Sequence, residues 1–337
     1  MLYLCLPVDD TFFDKCTQRS SGGMTKSNPD LMTAILTAVC LLLGGAPGYA
    51  DSTSPRLAAY YDLKMLLCDQ TAYQWRGRDR PQPVAEDVTQ VGVGRDASYV
   101  LTKSGRLLTW GEELDERREI LDQVNWFVAG RTGVFAARSD GTLVYLARPK
   151  SWFGEGGLVQ PERIGASIVT ASIGDSANYF VTSDGVLFVM GLAHRGQYGD
   201  GKLEPSEVFV SVASDVVAVK AHTGHAILLK RDGTVMGTGG NIYGPLGRHG
   251  IGDKAISWGS IFQDAEAIAT GSSHSLAIGR DGSLWRWGRD IGLDPKRVME
   301  NVVAAAADQN GSVALLKDNS LWQWERGQQP KLHFQCP

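Results

Sequence analysis

The chain has 337 residues, 43% of them hydrophobic and 21% charged, with a net charge of −4. That is an ordinary globular composition. The mildly acidic balance excludes a dedicated nucleic-acid or anionic-membrane surface, since either needs concentrated basic charge.

Residues 1–50 stand apart from the rest. The run from Leu31 to Leu43 is apolar, and small residues follow it, including Gly48 and Ala50. This predicts a secretory signal peptide cleaved after Ala50; thirteen apolar residues are too few to span a bilayer comfortably. Lys26 supplies a thin positive flank, and Asp9, Asp10 and Asp14 sit awkwardly upstream. Met1, Met24 and Met32 stay open as starts, and an uncleaved anchor is the competing reading. The expected location is secreted or periplasmic, with no membrane attachment once the peptide is removed.

Residues 51–337 read as one domain built on a single repeated phrase. Each copy has an apolar run, a polar turn usually made by Asp-Gly, and a second apolar run often ending in Trp-Gly. The anchors of the seven turns are Gln70, Gly105, Gly141, Gly185, Gly233, Gly282 and Asn319, separated by 35, 36, 44, 48, 49 and 37 residues. Five residues after the anchor come Trp75, Trp110, Leu146, Met190, Thr238, Trp287 and Trp324. The spacing inside each block is constant in the last six copies, and the length variation falls after it. A rigid block with an elastic tail is what stacking repeats require.

Each block predicts strands, rich in β-branched and aromatic residues and bounded by turn residues. Asp-Gly between two such runs predicts a type I′ hairpin. With a Val/Ala strand upstream and a tail downstream, each repeat supplies four antiparallel strands. Seven such units predict an all-β, seven-bladed β-propeller. The first and last copies resemble each other, which suits a closed ring better than a capped rod.

The Asp-Gly-x-Leu/Val…Trp-Gly phrase and the upstream Val-x-x-Val-x-x-Gly resemble the repeat of the regulator of chromosome condensation family. So do the tails 191–201 and 240–247, which are similar to that family's Gly-x-Asn-x-x-Gly-Gln-Leu-Gly segment. The resemblance covers roughly residues 56–335 and implies a seven-bladed propeller acting as a protein-binding platform. Known examples include a nucleotide exchanger for a small GTPase, ubiquitin-ligase modules and a secreted bacterial β-lactamase inhibitor.

Two cysteines remain after residue 50, Cys68 in the first copy and Cys336 at the C-terminal end. On a ring they would meet. The alternatives are a disulfide that staples the ring and two buried thiols; the oxidising address favours the bridge.

Chemistry-bearing motifs are weak throughout. Asp140, Asp184, Asp232, Asp281 and Asp318 each precede a turn anchor, so hairpin chemistry explains them. His225 and His274 share one repeat slot, and no Cys/His spacing promises a zinc site. No phosphate loop, nucleophile elbow or His-Glu-x-x-His occurs. The expectation is no enzyme, no metal and no cofactor.

The candidate binding residues are those of the elastic tails: Trp152, Phe153, Arg195, Tyr198, Tyr243, Arg248 and Trp258. They are the residue types that dominate protein-binding hot spots. Their competing role is to cover the outer edge of a blade. The expected function is a protein-binding scaffold, a monomer whose partner is another protein. One alternative is an inhibitor of a secreted or periplasmic hydrolase. Another is a carbohydrate-binding or enzymatic propeller, which requires polar residues converging in the central channel.

Overall fold

A computed structural model describes residues 56–111, 114–147, 157–159 and 167–337 of the chain. The predicted signal peptide, Trp152 and Phe153 lie outside the described residues. Every element among the described residues is a strand, and the 28 strands form seven four-stranded antiparallel sheets. Each sheet uses four consecutive strands, giving blade 1 (57–85), blade 2 (88–121), blade 3 (124–159), blade 4 (168–213), blade 5 (216–262), blade 6 (265–299) and blade 7 (302–335). The innermost strands pack side by side around the ring, and that of blade 7 lies beside that of blade 1. The ring is closed.

The turns explain the repeat slot. All seven anchors have positive φ, from 63° at Asn319 to 93° at Gly233. Only blade 1 has the tight form, in which Asp69 (φ 42°) and Gln70 (φ 72°) are both left-handed. The other blades depart from the expected type I′ geometry. In blade 5, Gly233 N–H donates to Lys230 O at 3.0 Å and Lys230 N–H to Thr234 O at 2.9 Å. That is a type I turn closed by a glycine bulge, which needs left-handed backbone at one residue only. The preceding aspartate then folds its carboxylate over the turn. Asp140, Asp232, Asp281 and Asp318 each accept from the backbone N–H two residues on, at 2.8–2.9 Å. Hydrogen bonds to the side chain or backbone of that residue hold these four carboxyls below the usual aspartate range.

The core sits at the seams between blades. Seven clusters of buried apolar residues occur, one per seam. At the seam of blades 1 and 2, for example, Met65, Leu66's neighbour in sequence, packs with Ala72, Val88, Val91 and Val100. Burying a large apolar side chain in this way contributes roughly 1.5–3 kcal/mol.

At the seam of blades 7 and 1 the first and last blades meet, and no strand crosses from one sheet to the other. A disulfide joins Cys68 to Cys336 across 268 residues, with the Cα atoms 5.9 Å apart. Lys64 Nζ pairs with Asp308 Oδ2 at 2.9 Å, both side chains at most 5% exposed. The other oxygen of Asp308 accepts from Asn310 and Gly311 N–H. Trp75 Nε1 donates to Gln323 Oε1 at 2.8 Å, and Arg78 grips Glu325 with two bonds of 2.8 and 2.9 Å.

Candidate interaction face

Strand direction gives the ring two unlike faces. On one lie the hairpin turns. On the other the innermost strands end and the elastic tails begin, and this tail face carries most of the candidate residues. The two long tails, in blades 4 and 5, are built alike. In each, a buried residue just before a glycine fixes the loop: Tyr198 (1% exposed) before Gly199 in one, Leu246 (0%) before Gly247 in the other. Each tail also reaches the next blade. Gly196 O accepts from Thr238 Oγ1 at 2.8 Å, and Pro245 O accepts from Trp287 Nε1 at 2.8 Å.

The structure therefore separates the candidates. Tyr198 is a core residue; its hydroxyl donates to Gly191 O at 2.8 Å and accepts from Ser206 N–H. Trp258 is half-buried against the cluster between blades 4 and 5, with its ring over Gly199. Arg248 lies along its own blade, over Gly259, and donates to Ser257 O at 3.3 Å. These three side chains pack against their own or the neighbouring blade. Arg195 and Tyr243 occupy equivalent tips of the two tails, and both are exposed.

Tyr243 sits on a rigid mount. Asn241 Oδ1 accepts from Leu246 N–H at 3.2 Å, and its amide donates to Gly252 O at 3.0 Å. This fixes the tip and leaves Ile242 64% and Tyr243 50% exposed. The guanidinium of Arg289, from blade 6, lies over the Tyr243 ring at 4.3 Å. Between the tip and residues 288–293 runs a shallow groove floored by Gly244, Gly288 and Leu293. Tyr61, Leu192 and Leu203 add further exposed apolar surface to the tail face. Sequence reasoning missed Ile242, although it sits beside Tyr243 in the same tail.

The central channel has a volume of about 520 Å³ and walls rich in alanine and valine, including Ala58, Val91, Ala129 and Ala269. At the tail face a polar group does converge on it. Tyr60 donates to Asp175 Oδ1 at 3.1 Å and stacks on His222 with ring centroids 5.4 Å apart. Arg131 holds the other oxygen of Asp175 at 3.2 Å. Burial, with Asp175 adding to it, pushes the Tyr60 hydroxyl pKa far up. Burial pushes His222 down. These groups come from blades 1, 3, 4 and 5 and bond mainly to one another, so they act as a plug. Within the wall, burial also lowers the pKa of the Lys220 amine.

His225 and His274 are seam residues. Each ring meets a serine of the next blade: His225 Nε2 and Ser275 Oγ at 3.3 Å, His274 Nε2 and Ser312 Oγ at 2.8 Å. Burial drives both imidazoles down to about 3, so both are neutral. Among the described residues no group of three His, Cys, Asp or Glu side chains converges as a metal site.

Fold and repeat together define a class: a closed seven-bladed propeller whose blades interlock through glycine-bounded tails. No family model matches the chain. Among curated proteins it is similar to human "E3 ubiquitin-protein ligase HERC2", 27% identical over 234 residues that cover 60% of this chain and 5% of that protein. It is also similar to the "Secretion-regulating guanine nucleotide exchange factor" of Bos taurus, 30% identical over 139 residues, 39% of this chain and 29% of that protein. The chain thus spans under a third of these relatives. Among solved structures, human WBSCR16 matches with a TM-score of 0.66 at 17% identity, covering 77% of this chain and 86% of that one. Prp20p of Saccharomyces cerevisiae matches with a TM-score of 0.63 at 17% identity, covering 73% and 75%. The repeat is similar to that of the regulator of chromosome condensation family, and the chain has the seven blades that this resemblance implies.

Proposed function

We propose that the protein is an exported protein-binding propeller that engages its partner through the tail face. The observation that carries this reading is the Ile242–Tyr243 tip, an apolar and aromatic pair held out by a rigid loop beneath the cation of Arg289. Aromatic and arginine side chains on a preorganised mount bind with little loss of entropy. Prp20p, a solved neighbour, is described by its binding to Gsp1p and histones, and another structure shows Kap60 bound to the same yeast protein. This supports protein binding as the use of such a surface. Export is supported by the apolar run at 31–43 and by the Cys68–Cys336 bridge, which suits an oxidising compartment. The gathering of exposed apolar side chains on one face also supports a narrower reading, a plug for a secreted hydrolase.

The test is comparative capture from the periplasm or culture medium of the source cell, with wild type and an Ile242→Asp/Tyr243→Asp variant as baits. Expected is at least a tenfold loss of one specific partner with the variant, and a mature chain that begins at Asp51. Equal recovery by both baits would remove the tip from the interface. A chain retained in the cytosol with residues 1–50 intact would end the export reading.

A further inference from the structure

Five blades carry a hydrogen-bond donor five residues after the anchor: Trp75, Trp110, Thr238, Trp287 and Trp324. Four of them meet an oxygen supplied by the preceding blade. Trp75 and Trp110 donate to the side-chain oxygens of Gln323 and Gln74, both at 2.8 Å. Thr238 and Trp287 donate to tail carbonyls, Gly196 O and Pro245 O, both at 2.8 Å. Twice a serine of the same blade shares that oxygen. Ser98 donates to Gln74 Oε1 at 2.8 Å, and Ser275 to Pro245 O at 2.9 Å. The seam chemistry is a recurring one: one acceptor from behind, with donors from ahead converging on it.

The seam of blades 6 and 7 breaks this rule. Trp324 Nε1 is buried and has no partner. Blade 6 can offer neither kind of oxygen. Its tail is only 289–291, too short to reach over. In the glutamine slot stands Arg286, opposite Leu276 in the same register that sets Gln323 opposite Val313. Arginine has five donors and no acceptor. Arg286 is 6% exposed, and its Nε is likewise buried without a partner. Asp290 acts on it only through space and is itself bonded to Arg326 at 3.0 Å. Ser312, whose counterparts share the missing oxygen, turns to His274 Nε2 instead.

We propose that the seam of blades 6 and 7 binds a small monovalent anion of chloride size, held by Trp324 Nε1–H and the Arg286 guanidinium where other seams place an oxygen. A water molecule could accept from both groups but would add no charge against the guanidinium, which Asp290 reaches only through space. A buried charge without a counter-charge is costly, and arginine cannot shed its proton. A halide satisfies both donors and cancels the charge.

Arg286→Gln restores the side chain used at two other seams, so it tests the proposal without removing a seam contact. The unfolding midpoint of wild type is expected to rise, and to saturate, as sodium chloride replaces sodium gluconate at constant ionic strength, because gluconate is too large to enter. Arg286→Gln should show no such rise and should match or exceed wild type in gluconate. Trp324→Phe, which keeps the charge and loses one donor, should need more chloride to saturate. Crystals in bromide should give an anomalous peak between Arg286 and Trp324 in wild type and none in Arg286→Gln. An identical chloride response in the two proteins, or water without an anomalous peak at that position in wild type, would overturn the proposal.

Discussion

The seam that closes the ring and the seam beside it use the same repeat slots to opposite effect. Between blades 7 and 1 the buried donors of Trp75 and Lys64 have acceptors, Gln323 and Asp308, and a disulfide adds a covalent link. Between blades 6 and 7 two donors, Arg286 Nε and Trp324 Nε1, are buried without an acceptor. The peptide bond accounts for the difference. Blades 6 and 7 are joined by the chain between Met299 and Val302, so their approach is enforced whatever the seam contains. Blades 7 and 1 share no strand and have no connecting chain. Side chains and a sulfur bridge must do there what the backbone does at the other six seams.

The largest effect should come from removing that bridge. Cys68→Ser/Cys336→Ser releases a loop of 268 residues in the unfolded chain, worth on the order of 5 kcal/mol by chain entropy. Guanidinium unfolding of the variant against the oxidised parent measures it. A loss no larger than that of a surface substitution would show that the side-chain contacts alone close the ring.

Next is the buried ion pair. Lys64→Met leaves Asp308 charged and buried, and breaking one side of such a pair costs about 3–5 kcal/mol. Lys64→Met/Asp308→Leu should recover much of that loss in the same assay. Failure of the double variant to recover would mean that Asp308 is needed for the turn it caps through Asn310 and Gly311 rather than for the pair.

The third effect separates the two kinds of seam by pH. His225 and His274 are confined to the seams of blades 5, 6 and 7, and their folded pKa values lie near 3 against 6.5 in the unfolded chain. The unfolded chain therefore binds more protons between those values. Stability is full above pH 6.5 and falls as the pH drops toward 3. At pH 5 the cost is about 2 kcal/mol for each histidine. The turn aspartates, held below the usual carboxylate range, add no pH dependence between pH 7.5 and pH 5. Unfolding midpoints at pH 7.5 and pH 5 should differ less for His225→Gln/His274→Gln than for wild type. An equal drop would place the acid sensitivity elsewhere.

Much of the fold could be read from the chain because its slots are local. A residue with positive φ is required at each anchor, and Gly, Asn or Gln marks it. The turn type was misread because Asp-Gly serves both the two-residue hairpin and the bulged one, and only hydrogen-bond register tells them apart. The site was less legible because exposure is decided across seams. Aligning the two long tails by Gly199 and Gly247 sets Tyr198 against Leu246, and that alone would have marked the tyrosine as core. Nothing local says that Trp258 lies over Gly199 from the neighbouring blade. Nor could spacing show that Tyr60 spans the channel to Asp175, since the two stand 115 residues apart and in different blades.

Because no strand is exchanged between the first and last sheets, every blade is a finished unit, and Arg56 lies within hydrogen-bond reach of Asn319. The molecule has a beginning and an end in its gene but hardly in its architecture. A circular permutant of residues 56–337 that joins the two ends of the ring by a short linker and opens at 122–123, between blades 2 and 3, should keep the same ring. Which blade comes first is then a matter of the bridge, with the packing indifferent to the choice.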